Sequence, residues 1–543
     1  MRISTWLQSS LVRAFPLGPA GAAKSLSIVA ARGSHVSFQV CLRVEGVEPV
    51  EVRACVVASA GLDTRIRRVG CVPVPHHNTQ TPEDELDGVG LIPGYVPDPL
   101  FPEETAIAAP GEVTAFWITV TVPRETRPGV KNVRVELSSG TKRISSMTAR
   151  VLVSDVAIAG RRNFRVTHWF YADALSDRYG VEPFEEAFWP ICARYMRDCA
   201  EHGMDTIYVP VFTPPLDGVK RPTQLLGVNR AKDGRYAFDW RLVRRWTHEA
   251  RRCGLSHFEW THLFTQWGVK NAIRVYEKRA GEDRLLWPPT AGATSPTYRG
   301  FLAQFLPALE RFLKQERLLG SSFFHVSDEP HGEEHLANYR KARAMLRELG
   351  PWMKVMDALS DIRYGREGLV DRAIPSISVA RRFAEEGIPS WVYFCCGPRG
   401  KYLNRLLDTP LVKIRMSGWL FYRFGRLGFL HWGYNYWYKS QTRQMIDPFT
   451  VTDGLKWPGW AYGDPFVVYP GPDGPIDSIR WEVFAESLED YALLETLGVD
   501  PNGPMLAAFR DFDDFPKDEK WLRGALNKLL LRERVQARTH ETR

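Results

Sequence analysis

The pattern of apolar and polar positions divides the chain in two. From Ser27 to Ile158 apolar residues recur at every second position in short runs, as in "SIVAARGSHVSFQVCLRV", "VEVRACVVASAG", "TRIRRVGCVPVP" and "ISSMTARVLVSDVAI", each closed by turn residues. Alternation of this kind puts one face of a strand inward and the other outward. The stretch "GEVTAFWITVTVPRETRPGVKNVRVELSSG" reads as two strands about a corner at Pro128-Gly129. Short strands at such spacing, with no helical period among them, predict an all-β sandwich over residues 1–158. The polar, proline-rich "HHNTQTPEDELDGVGLIPGYVPDPLFPEE" predicts a long loop draped over the sandwich or the neighbouring domain.

From Asn163 the rhythm changes. Apolar strands such as "NFRVTHWFYAD", "DTIYVPVFTP" and "LSHFEWTHLF" alternate with amphipathic helices such as "FEEAFWPICARYMRDCAEHG" and "DWRLVRRWTHEARRCG". The helices end in glycine, a common C-terminal stop. Beyond "SSFFHVSDEP" come a helix from Glu334 to Leu349, strands "WMKVMDAL", "IPSISV" and "PSWVYFCCG", a helical "NRLLDTPLVKIRMSGWLFYRFG" and a last strand "GFLHWGYNYW". Repeated β/α steps over this length predict an α/β fold, a (β/α)8 TIM-like barrel over residues 159–500. A doubly wound sheet would usually show a glycine-rich first turn, and "WFYADALSDRYG" has none. A Gly/Pro-rich loop and a long helix follow the last strand, and a helical tail with a charged end occupies 501–543.

Composition narrows the class. The 543 residues exceed one ordinary domain, and 44% hydrophobic content is enough for sizeable cores. No apolar run reaches the roughly 18 residues of a membrane span. The N-terminal segment lacks a sustained apolar core and a cleavage site, so a cytoplasmic location is expected. The 8 cysteines show no C-x-x-C spacing, which argues against a disulfide scaffold or a zinc site. The adjacent Cys395 and Cys396 read as the lining of a strand, with a redox device as the alternative. The net charge of +8 is scattered, without a phosphate loop or a basic tract alternating with aromatics. Nucleic acid is therefore not expected as a partner, and no metal or cofactor is called for. The 18 Trp, 19 Tyr and 28 Phe suit sugar stacking or a large core equally. Oligomeric state leaves no mark on the sequence.

A barrel carries its chemistry at the C-terminal ends of its strands. Polar residues fall there: His168 and Asp173, Glu259 and His262, Asp328 and Glu329, Asp357, Tyr393, and the run His431, Trp432, Tyr434, Asn435. The adjacent acids are the sharpest signal. With Pro330 forcing a turn, both can swing over the mouth, and two close carboxylates cannot both ionise freely. One can then serve as a general acid. Neighbouring residues do not easily straddle a glycosidic bond as the usual pair of glycosidase carboxylates does. They suit the scheme in which a substrate's 2-acetamido group is the nucleophile. The alternative is an N-cap, since "SDEPHGEE" resembles the start of a helix.

"HVSDEP", "WVYFCCGPRGKYLNRLLDTPLVKIRMSGWLFYRFGRLGFLHWGYNYW" and "IDSIRWEVFAESLEDYALLETL" closely resemble the domain of unknown function 4091, which contains glycoside hydrolase family 123, the β-N-acetylgalactosaminidases. "AARGSHVSFQV" and "AFWITVTVPRETRPGVKNVRVEL" resemble the family's N-terminal sandwich, although Ser34 stands where relatives often carry Glu. The resemblance implies a sandwich followed by a (β/α)8 barrel, no metal, a glycan or glycoconjugate substrate, and retaining, substrate-assisted hydrolysis. Its adjacent acids fall on Glu329 as acid/base and Asp328 as the group that orients the acetamido N–H. Trp432, Tyr434 and Asn435 match the last-strand block and are expected to wall the sugar site. Tyr393 is expected to donate to the acetamido oxygen and His262 to bind a sugar hydroxyl. Arg480 is expected to pin the last helix through acidic partners. Two rivals stay open: a double-displacement glycosidase with Glu259 or Asp357 as nucleophile, and a glycan-binding protein without turnover.

Overall fold

The alternating runs of the first segment form two packed sheets. The computed structural model describes residues 2–77, 79–215, 220–279 and 281–531. One sheet has five strands in the order Ser25–Arg32, Lys142–Ala157, Gly129–Ser139, Val50–Ala58 and Thr105–Ala108. The other begins with Arg2–Ser9, Ser34–Glu45, Val113–Val122, Asp63–Val74 and Gly94–Phe101. Their inner faces meet through Phe38, Val40, Leu42, Phe116 and Ile118 on one side and Val133, Val135, Leu137, Ala149 and Val151 on the other. These are the alternate positions read from the sequence. Gly33, at φ +76°, is the corner between two strands that the sequence shows as one run; a residue without a Cβ adopts that conformation freely.

The second segment closes into a barrel of eight parallel strands: β1 (Arg165–His168), β2 (Thr206–Val209), β3 (His257–Trp260), β4 (Ser322–Phe324), β5 (Met356–Ala358), β6 (Arg372–Ile374), β7 (Val392–Tyr393) and β8 (Gly428–His431). Six are joined in one sheet in the order β4, β3, β2, β1, β8, β7, and β5 pairs with β6. Single parallel bridges, Phe324 to Val355 and Ala373 to Ser390, link these two groups and complete the ring. The predicted sandwich and (β/α)8 barrel are thus the fold.

Several local readings change. The proline-rich loop contains the strand Gly94–Phe101, which tolerates Pro97 and Pro99 beside a register shift in its pairing with Asp63–Val74. The segment from Asn404 to Pro410 is not helical and turns at Leu407–Thr409, and only Leu411–Arg415 and Ser417–Arg423 are helical. Two unpredicted hairpins, Gly227–Arg230 with Tyr236–Asp239 and Tyr276–Arg279 with Glu282–Leu285, sit in the loops after β2 and β3. A further unpredicted hairpin, Val468–Pro470 with Pro475–Ser478, leaves the barrel and adds two strands to the sandwich sheet beside Gly94–Phe101. The charged end predicted past Leu531 lies outside the described residues.

Buried ion pairs join the two units. Arg67, from the sandwich, is fully buried and donates to Asp477 (2.5 Å), Glu482 (2.6 Å) and Thr119 (2.6 Å). Arg480, on the helix Ile479–Thr496, grips both oxygens of Asp98 at 3.0 Å; the acidic partner expected for it comes from the sandwich. His202 lies between Asp198 and Glu482. Burial alone would lower its pKa, but the two carboxylates outweigh burial and hold it well above the usual range. The start of the long loop reaches the barrel rim, where Thr79 bonds Asp408, and Glu85 pairs with Lys413.

Candidate active site

Beneath the barrel mouth, three neighbouring strands each supply one ionisable side chain. Glu259 comes from β3, His325 from the residue after β4 and Asp357 from β5, and all three are fully buried. His325 bridges the acids, with Nδ1 3.0 Å from Asp357 Oδ1 and Nε2 2.7 Å from Glu259 Oε1. Burial opposes charge on the imidazole, but the flanking carboxylates win and raise its pKa to about 9. At neutral pH His325 is therefore a cation whose two nitrogens both donate. Both carboxylates accept from other donors as well. Glu259 accepts from Thr167 Oγ1 (2.6 Å) and Trp169 Nε1 (2.8 Å). Asp357 accepts from the Tyr339 hydroxyl and from the main-chain N–H groups of Val326 and Ser327. Asp357 thus fastens the two residues that precede the acidic pair.

The pair itself sits where the chain leaves β4. Glu329 has φ +41°, and its N–H donates to the carbonyl of Ala358 at 2.9 Å. A left-handed backbone at a residue with a Cβ costs on the order of 1–3 kcal/mol and is held only by its surroundings. The turn breaks the strand alternation that would send neighbouring side chains to opposite faces. Asp328, 6% exposed, accepts from Gln266 Nε2 at 3.2 Å, and its charge reaches Tyr208 at β2. Glu329 is partly exposed, and its Oε1 accepts from the Tyr393 hydroxyl of β7 at 2.6 Å. Burial, then the Glu329 charge, push the phenol pKa well above its ordinary value, so Tyr393 remains a donor. The helix Gly332–Leu349 begins after His331, without a side-chain capping bond, and its first-turn acids are Glu333 and Glu334. Neither Asp328 nor Glu329 is its N-cap.

The other predicted residues divide. His262 stacks on His325 with ring centres 4.2 Å apart, and its Nδ1 lies 3.1 Å from the Tyr208 hydroxyl. Burial and the neighbouring cation push it well below the usual histidine range, so it is neutral, and its Nε2 has no hydrogen-bond partner among the described residues. Trp432 is half-buried beside Tyr436 and Trp460, with Nε1 donating to Asp464 at 2.9 Å. Tyr434 and Asn435 do not wall the mouth. Tyr434 is fully buried, stacked on Phe170, and its hydroxyl donates to Asp198 at 2.6 Å. Asn435 is also fully buried and clamps the main chain of Tyr171 from both sides, at 2.9 and 3.1 Å. Position after a strand end does not fix the direction of a side chain once the strand has stopped. His168 turns outward too, onto Arg405, Trp481 and Phe484. Gln266 and Tyr208 carry no signal in the sequence: Gln266 lies in a loop without period, and Tyr208 resembles any core aromatic within "TIYVPV".

His262, His325 and Asp357 bring ligand-type atoms within 4.8 Å of one another. The two imidazole planes are only 18° apart. Both nitrogens of His325 already donate to Asp357 and Glu259, so that ring has no lone pair to offer an ion.

A family model described as glycoside hydrolase 123, catalytic domain, matches residues 169–497. Among solved structures, a family 123 glycoside hydrolase from Clostridium perfringens superposes with a TM-score of 0.75 at 13% identity, covering 99% of both chains. A family 39 glycoside hydrolase from Bacteroides cellulosilyticus WH2 aligns with 85% of this chain and 82% of its own, at 10% identity and a TM-score of 0.34. No curated protein matches the sequence. The family model spans more than half of the chain, including all the barrel strands but the first, and the chain belongs to glycoside hydrolase family 123.

Proposed function

We propose that this hydrolase removes terminal β-linked N-acetylgalactosamine with retention, using the substrate's acetamido group as nucleophile. The observation that carries this reading is the contrast between the two sets of barrel carboxylates. Asp328 and Glu329 lie at the mouth, Glu329 partly exposed, whereas Glu259 and Asp357 are fully buried and committed to His325 and other donors. A double-displacement enzyme needs a second, accessible carboxylate about 5–5.5 Å from the acid. Glu259 and Asp357, its candidate nucleophiles, have no free face to offer.

Glu329 protonates the glycosidic oxygen as the bond to the anomeric carbon breaks. The acetamido carbonyl oxygen attacks that carbon from the opposite face and closes an oxazolinium ring. Asp328 accepts a hydrogen bond from the acetamido N–H and stabilises the positive charge. Glu329, now ionised, takes a proton from the water that reopens the ring, which restores the β configuration. The Clostridium enzyme is described for glycolipid glycan hydrolysis, and glycolipid glycans are the natural substrates to test beside aryl glycosides.

The decisive assay compares aryl β-GalNAc, β-GlcNAc and β-Gal substrates with the wild type, Glu329→Gln and Asp328→Asn. Loss of a general acid is expected to reduce kcat about 10²–10⁴-fold, most steeply for poor leaving groups. A thiazoline analogue of the cyclised intermediate is expected to inhibit. Undiminished turnover by Glu329→Gln, or covalent labelling of Glu259 or Asp357 by a 2-fluoro glycoside, would overturn the assignment.

A further inference from the structure

β7 ends at Tyr393, and two residues later the chain carries Cys395 and Cys396. On a continuing strand their side chains would point to opposite faces. Here the chain turns, with the Cys395 N–H donating to the Gly397 carbonyl at 2.9 Å, and the two sulfurs meet at 3.6 Å. The carbonyls on either side are tied down. Asn404 donates to those of Cys395 (2.9 Å) and Pro398 (2.8 Å), and Arg399 Nε donates to that of Cys396 (2.5 Å). Both cysteines are partly exposed, whereas Cys41, Cys192, Cys199 and Cys253 are buried. The charges of Asp464 and Glu329 both reach Cys395.

We propose that Cys395 and Cys396 form a reversible vicinal disulfide at the barrel mouth, by exchange with a small disulfide of the glutathione type, and that closing it slows turnover by drawing Tyr393 away from Glu329. The effect on turnover rests on the reading of Glu329 as acid/base. Cys396 gives up its proton and its thiolate attacks the small disulfide, forming a mixed disulfide and releasing one thiolate. Cys395 then loses its proton and attacks the Cys396 sulfur, expelling the second thiolate. Two protein thiols and one small disulfide become one protein disulfide and two small thiols, so atoms and electrons balance. The order follows from the site: the bond to Cys396 and burial push the Cys395 thiol well up, which makes it the poorer first attacker.

Closing the bond shortens the sulfur separation from 3.6 Å to about 2.05 Å. With Asn404 holding the Cys395 carbonyl and Arg399 that of Cys396, the movement falls on the chain before them, and Phe394 passes it to Tyr393.

The test treats the reduced full-length enzyme with oxidised glutathione and follows both mass and turnover. The peptide containing both cysteines should lose two hydrogens, and kcat should fall about tenfold, the effect of losing one charge-assisted hydrogen bond. Dithiothreitol should restore both. Cys396→Ser should keep its basal rate and ignore the oxidant. Mass reports the bond whatever sugar the enzyme cleaves, so failure of the disulfide is distinguishable from failure of the catalytic assignment. Unpaired thiols after treatment, an oxidised enzyme as fast as the reduced one, or a Cys396→Ser variant that slows equally, would each overturn the proposal.

Discussion

Glu329 occupies a backbone conformation that few residues with a Cβ adopt, and Tyr393 meets its side chain from across the barrel. The hydroxyl keeps one rotamer of a flexible acid aimed at the mouth. Hydrogen bonds to charged groups are worth about 1.5–3 kcal/mol, and each 1.36 kcal/mol is tenfold in rate. Tyr393→Phe should therefore lower kcat about 10–100-fold in steady-state assays with little change in KM, while its unfolding midpoint stays near that of the wild type. An equal rise in KM would assign Tyr393 to substrate binding instead. At this scale the sequence was legible where chemistry is unusual. Two adjacent acids before a proline stand out, whereas the opposite fates of Trp432 and Tyr434 depend on where the chain bends after His431, which no spacing records.

At the scale of the element, β3, β4 and β5 are joined below the site by charge as well as by ladder hydrogen bonds. Removing one partner from a buried ionic group costs about 3–5 kcal/mol, because the others are left uncompensated. His325→Ala should lower stability by about that amount in urea unfolding, and it should also reduce turnover, since Asp357 would lose the partner that helps fix its hold on Val326 and Ser327. His325 is raised to about 9 when folded, against about 6.5 when unfolded. Its contribution is complete below pH 6.5 and is lost as pH rises from there through 9. The wild type should thus lose stability over this interval, and His325→Gln should show a flatter profile; parallel profiles would refute a charged His325. Most barrel strands were readable despite their shortness because they are apolar runs beside amphipathic helices; the sixth, Arg372–Ile374, lies just ahead of the run "IPSISV" read for it and meets it only at Ile374. The two hairpins after β2 and β3 were not, since their sequences are polar and packed on only one side.

Across the whole molecule, buried electrostatic contacts also cross from one architectural unit to the other. Arg67 lies in the sandwich, and both its carboxylate partners belong to the segment that follows the barrel's last strand. Arg67→Met should destabilise the protein by roughly 3–5 kcal/mol, and calorimetry should still show one transition; two separated transitions would mean that the units unfold independently. Sequence rhythm finds the change from period two to period 3.6 near Asn163 but is blind to strands that come home later. Val468–Pro470 and Pro475–Ser478 lie far along the chain from that change, yet they lengthen the first unit's sheet. The consequence concerns how such a protein can be taken apart or recombined. A module hung on by its two ends can be traded between enzymes, whereas here a graft that swapped the leading segment would have to carry its distant hairpin along, leaving the catalytic ring with a gap in its own thread.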